Sequence, residues 1–145
     1  MSSTMSVTFR GKSFWVYDVI GGIFLWHLVS AAQEYQRNKI SPWLDDYIKS
    51  WQVAAAFSDL PFFADDVWKE EQLALIVQLS QEAISAIRSH GSFTRTEISG
   101  LKLFDELEIH PRGHETVACE PIAQFGEAFV SLLLGQLPAP PEKHW

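Results

Sequence analysis

The run from Phe14 to Ala32, FWVYDVIGGIFLWHLVSAA, constrains this chain more than any other segment, because so apolar a stretch has few places to go. It can cross a membrane, serve as a secretory signal, or form the central helix of a folded core. A spanning helix needs about twenty predominantly apolar residues. This run barely reaches that length, and it carries Asp18 and His27 inside it. Its basic flank, Arg10 and Lys12, and the small residues Val29-Ser30-Ala31 imitate a signal sequence. However, a carboxylate within the apolar region is costly to insert, and the run continues into Gln33, Glu34, Tyr35 and Gln36 without a turn signal. The expectation is therefore a buried central helix over about residues 14–38, in a cytoplasmic protein with no membrane span.

Periodicity and punctuation place three further helices. Ser41-Pro42 is a start signal, with Asp45 and Asp46 near the positive end of the dipole, so a helix is expected over about 42–57. Trp43, Tyr47 and Trp51 repeat along one side of it and read as core. Asp65 or Asp66 is the expected cap of a helix over about 66–90, closed by Gly91. Its apolar positions fall into two sets, Leu73, Ile76, Val77, Ile84 and Ile87, and Leu75, Leu79, Ala83 and Ala86, which predicts enclosure on two sides. Glu120-Pro121 opens a last helix over about 121–135, stopped by Gly135. Short alternating runs at 5–9 and 101–109 suggest a small β element, the two pairing with each other. The fold class is thus mainly α, a four-helix core in a single domain over 1–145, with loose or extended tails at 1–4 and 138–145.

The 145 residues are 47% hydrophobic and 20% charged, enough apolar material for one real core. A single cysteine, Cys119, excludes an internal disulfide and suits a reducing compartment. Charge is uneven: residues 1–40 hold four basic and two acidic side chains, residues 41–145 seven and sixteen, for a net −7. A surface this acidic argues against nucleic acid, whose affinity comes from Lys and Arg on phosphates. It suits a basic protein partner.

No phosphate-binding glycine loop, hydrolase elbow or zinc-protease motif is present, so no catalytic residue and no cofactor is assigned. His110, His114 and Cys119 are the densest group of metal-ligand types, but Pro111 and Gly113 make the segment a turn without helical spacing, and it lacks the usual zinc pattern. His27 and Asp18 are expected to be structural, His27 bonded to a backbone carbonyl or to Asp18. The partner-binding candidates are acidic residues interleaved with aromatics: Asp45, Asp46, Asp59, Phe62, Phe63, Asp65, Asp66, Trp68 and Glu70. Carboxylates around exposed rings make a docking surface for basic side chains.

The run EIHPRGHETVACEPIAQFGEAFVSLLLGQLPAPP, Glu108–Pro141, resembles the ends of small bacterial proteins of the toxin-immunity kind, over less than a quarter of the chain. That resemblance implies a non-enzymatic protein that binds and neutralises a cognate toxin. It transfers no individual residue. Two other readings stay open: a small enzyme or ligand-binding domain using the His110–Cys119 segment, and a structural homodimer.

Overall fold

The computed structural model describes residues 4–9, 12–38, 41–56, 62–63, 68–94 and 116–135. The architecture is mainly α. A hairpin of β1 (Thr4–Phe9) and β2 (Lys12–Tyr17) leads directly into α1 (Asp18–Asn38), which is followed by α2 (Pro42–Ala56) and the two-residue strand β3 (Phe62–Phe63). Next come α3 (Glu70–His90), β4 (Ser92–Thr94), β5 (Thr116–Ala118) and α4 (Cys119–Leu133). β1 is the middle of a sheet ordered β2-β1-β3, antiparallel to β2 and parallel to β3, and β4 pairs antiparallel with β5.

α1 is the centre of the helical packing: α2, α3 and α4 each lie against it, and α3 also packs along α4. Ile23, Phe24, Leu25, Leu28, Val29 and Ala32 are buried on several sides of α1, leaving an exposed stripe that includes Trp26, Gln33 and Arg37. Among the described residues no helix is long and apolar enough to cross a membrane.

The start of α1 differs from the sequence expectation. Phe14–Tyr17 is strand, and the helix begins at Asp18. Aromatic and β-branched residues from Phe14 to Tyr17 fit a pleated strand, while a carboxylate at the first position favours the positive end of a helix. The strand expected at 5–9 is present as β1, but its antiparallel partner is β2; residues 101–109 lie outside the described set.

The helix ends follow local chemistry. Gly91 (φ +90°) and Gly135 (φ +85°) adopt left-handed conformations that a side chain would strain, which stops α3 and α4 where the sequence places the stops. The start of α3 departs from expectation. The chain is still extended at Lys69, whose backbone N–H donates to Oε1 of Gln72 (2.7 Å), and the helix begins at Glu70. Asp65 and Asp66 lie outside the described residues. α3 buries one stripe, Ile76, Leu79, Ser80, Ala83, Ile84 and Ile87, whereas Ala86 is exposed. The expected second enclosed face is therefore incomplete, because α1 and α4 cover α3 from one side. Arg88 spans the outer seam between α3 and α4, reaching Glu120 (3.1 Å) and Glu127 (2.7 Å).

Candidate functional site

Of the nine partner-binding candidates, Asp45 and Asp46 lie on α2, whose helical spacing gives it three faces. Leu44, Ile48 and Trp51 are buried and point to the core. Trp43 and Tyr47 stand one turn apart on one flank, and Asp45 and Lys49 one turn apart on the other. Asp46 faces outward beside Trp43 and is exposed.

The aromatic flank is a ladder of rings. Trp43 meets Tyr47 edge-on (centroids 6.0 Å, 69°), and Tyr47 meets Trp51 (6.2 Å) and Trp68 (5.0 Å, 74°). Trp68 also crosses Trp51 (6.5 Å, 86°) and lies beside Phe9 of β1 (6.2 Å). Edge-to-face pairs at these separations are favourable beyond their buried area. Rings this close leave no room for a cation between them, so the interior of the ladder is packing and not a cage.

This burial corrects one candidate outright. Trp68 is 2% exposed and holds the approach to α3 against α2, so it cannot be an exposed docking residue. Trp43 and Tyr47, read from their spacing as core, are the half-buried members with ring surface still accessible. The contact between Tyr47 and Trp68 joins α2 to the residues just before α3, whose first turn carries exposed Glu70 and Glu71. On α2 itself, exposed Asp46 lies next to half-buried Trp43 and Tyr47. Phe62 and Phe63 form β3 against β1. Asp59, Asp65 and Asp66 lie outside the described residues.

Asp45 has a different role from Asp46. It belongs to a network in which Gln36 Nε2 donates to Asp45 Oδ1 (2.9 Å) and to the Ser41 carbonyl (2.8 Å), while the Ser41 N–H donates to Gln36 Oε1 (2.9 Å). One glutamine thus pins the α1–α2 connection, and Asp45 is tied to it. The open groove on this flank, about 380 Å³, is lined by Gln33, Gln36, Arg37, Asp45, Lys49 and neighbours. Arg37 is paired with Glu34 (2.9 Å), so with Asp45 opposite Lys49 the groove carries no strong net charge.

The remaining candidates sit elsewhere. Cys119 is buried at the first position of α4, and its N–H donates to the Gly91 carbonyl (3.3 Å), joining the end of α3 to the start of α4. His110 and His114 lie outside the described residues, among which no group of three or more His, Cys, Asp or Glu is placed to hold a metal. His27, partly buried in α1, donates from Nδ1 to the Ile23 carbonyl (2.9 Å), the backbone alternative of the two partners expected for it.

Burial lowers the His27 pKa below its usual 6.5; the bond to Ile23 opposes this, and nearby His90 adds to it. The folded protein therefore resists a proton that the unfolded chain accepts. The stability this confers is complete above about pH 6.5 and declines as pH falls from there through the folded-state pKa. Denaturant unfolding at pH 7.5 and 5.5 is expected to show lower stability at 5.5, with a smaller loss in His27→Gln. An equal loss in both proteins would refute the assignment.

Comparison with protein-family models, with curated proteins and with solved structures finds no match for this chain.

Proposed function

We propose that this chain is a non-enzymatic binding protein of the toxin-immunity kind, acting in the cytoplasm to hold and neutralise a basic toxin domain. The observation that supports this reading best is the edge formed by α2 and the start of α3. There Trp43 and Tyr47 are partly accessible on a ladder of rings anchored in the core, with exposed Asp46 on the same helix and exposed Glu70 two residues after Trp68 of the ladder.

Binding energy concentrates in aromatic anchors that are already held in place, because less side-chain entropy is lost on association. Lys and Arg side chains can pair with the carboxylates and lie on the ring faces. The net charge of −7 adds long-range attraction for a basic partner, which raises the association rate more than it raises affinity.

The test is to search the neighbouring reading frames for a secreted toxin with a basic domain, whose absence would count against the reading, and to titrate that domain with wild-type protein and with Asp46→Lys/Glu70→Lys. Reversing both charges is expected to weaken binding about tenfold to a hundredfold, mostly through slower association, with the gap narrowing at high salt. Trp43→Ala is expected to raise the dissociation rate instead. An affinity unchanged in all three variants would refute the proposed surface.

A further inference from the structure

Trp43, Asp46, Tyr47 and Ser50 fall at i, i+3, i+4 and i+7 along α2 and so form one stripe on its surface. Neighbours at this spacing have Cβ atoms about 5–6 Å apart. The stripe borders the buried face of Leu44, Ile48 and Trp51, and it grades from core to solvent across its width. Trp43 and Tyr47 are half-buried along the inner margin, and Asp46 and Ser50 are exposed along the outer one.

The members differ in what they present. Trp43 is held edge-on by Tyr47 (6.0 Å, 69°), which fixes the tilt of the indole before any partner arrives and leaves part of its surface accessible. Asp46 forms no ion pair among the described residues. Lys49, the one basic residue of α2, lines the groove with Asp45 and Gln52 instead. Ser50 is small and leaves Asp46 open on the side away from Trp43.

A fixed indole beside an exposed carboxylate selects among side chains. The ring attracts a cation to its face, and the carboxylate accepts two hydrogen bonds in its own plane. Arginine satisfies both together. Its guanidinium is flat, weakly hydrated and always charged, so it lies on a ring while its N–H groups fork onto a carboxylate. A lysine ammonium is compact and strongly hydrated; it pairs with Asp46 but gains less from the ring. An apolar side chain would desolvate the carboxylate without giving it a partner.

We propose that this stripe of α2 receives one arginine side chain of a protein partner, its guanidinium stacked on Trp43 and forked onto Asp46, in preference to lysine. The assignment rests on reading α2 as a docking surface and adds the identity of the side chain it takes. Net acidity alone does not make that choice, because a charge of −7 attracts lysine and arginine alike.

The test uses a blocked Gly-Arg-Gly peptide and its Gly-Lys-Gly counterpart, each titrated into the full chain and read by residue-resolved NMR. Both carry a single positive charge, so a difference between them comes from the shape of the cation. The arginyl peptide is expected to shift the Trp43 indole and the amides around Asp46 saturably, and to bind about threefold to tenfold more tightly than the lysyl peptide. Asp46→Asn changes an exposed position that the fold tolerates, and is expected to abolish that preference. Trp43→Leu, which keeps an apolar side chain at the core margin, is expected to do the same. Equal affinities for the two peptides would overturn the assignment. So would a preference that survives Asp46→Asn, or shifts that map outside α2. Toxin binding alongside equal peptide affinities overturns the arginine site and spares the docking surface. An arginine preference in a chain that binds no toxin supports the site and removes the toxin reading.

Discussion

Replacing Phe24 with alanine is expected to lower the unfolding free energy by about 3–5 kcal/mol, the usual range for removing a fully buried aromatic ring. Phe24 has no exposed surface. Its ring meets Phe125 at 5.2 Å and Phe129 at 5.8 Å, so one side chain carries much of the aromatic contact between α1 and α4. Removing it opens a cavity where two helices converge, and close neighbours on rigid helices relax only partly into such a space. Against a total of about 5–15 kcal/mol for an ordinary domain, the loss is a large fraction of all the stability available. At this chain length it corresponds to a fall in Tm of roughly 10–15 °C. Trp26→Ala is the control on the same helix. Trp26 is 37% exposed, and its truncation should cost distinctly less than that of Phe24. Phe24→Leu, which keeps most of the volume, should cost less than about 1.5 kcal/mol. Comparable losses for Phe24→Ala and Trp26→Ala in denaturant unfolding would mean that α1 is not the centre of the core.

Structure dictated within a few residues is legible in this sequence, whereas structure that depends on distant residues is not. Pro42, Gly91 and Gly135 mark a helix start and two stops because each restricts or permits its own backbone, and all three sit where expected. The boundary between β2 and α1 is local too, yet Phe14–Tyr17 flows into the helix without a glycine, a proline or a polar break. Apolar periodicity alone does not separate a strand from a helix over so few residues. Asp65 and Asp66 stand at a suitable distance to cap α3 by residue type alone. The helix starts later, where Trp68 has been seated against Tyr47 and Trp51.

The acidic and aromatic candidates divide for the same reason. Trp43 and Trp68 are the same residue type in similarly acidic surroundings, but one is half-buried on a helix flank and the other lies under the ladder. That difference comes from residues far apart in sequence and leaves no trace in local composition. Asp45 and Asp46 are adjacent, and only the side-chain amide of Gln36 separates their roles by binding one and leaving the other outward. Composition marks α2 as rich in both carboxylates and rings. It could not say which of its carboxylates and rings were already committed to holding the fold.

Gly126 is where the packing has the least slack, and a side chain there is expected to be strongly destabilising. A Cβ at this position would stand 2.6 Å from Ile84 Cγ1 and 2.7 Å from Phe24 Cε1, with Ile84 Cδ1 at 3.1 Å. Carbon atoms in ordinary contact sit at about 3.5–4.0 Å. α4 therefore approaches α1 and α3 this closely because glycine lacks the Cβ, and none of the three helices can move alone without disturbing another contact. Two effects oppose each other in Gly126→Ala. Alanine is the better helix former by about 0.8–1 kcal/mol, whereas overpacking a tight core costs about 1–3 kcal/mol. With two clashes below 3 Å the packing cost dominates. Gly126→Val adds two further carbons at the same point and gives up the helix-propensity gain, so its loss should reach about 3 kcal/mol or more. The contact with Ile84 supplies the decisive measurement. Ile84→Ala removes both Cγ1 and Cδ1, and should cost about 2–5 kcal/mol on its own by leaving a cavity. Combined with Gly126→Ala, the new methyl group occupies part of that space. The double variant should therefore be more stable than the two separate losses imply, by about 1 kcal/mol or more. Simple additivity in a denaturant double-mutant cycle would show that α3 and α4 do not meet at this glycine.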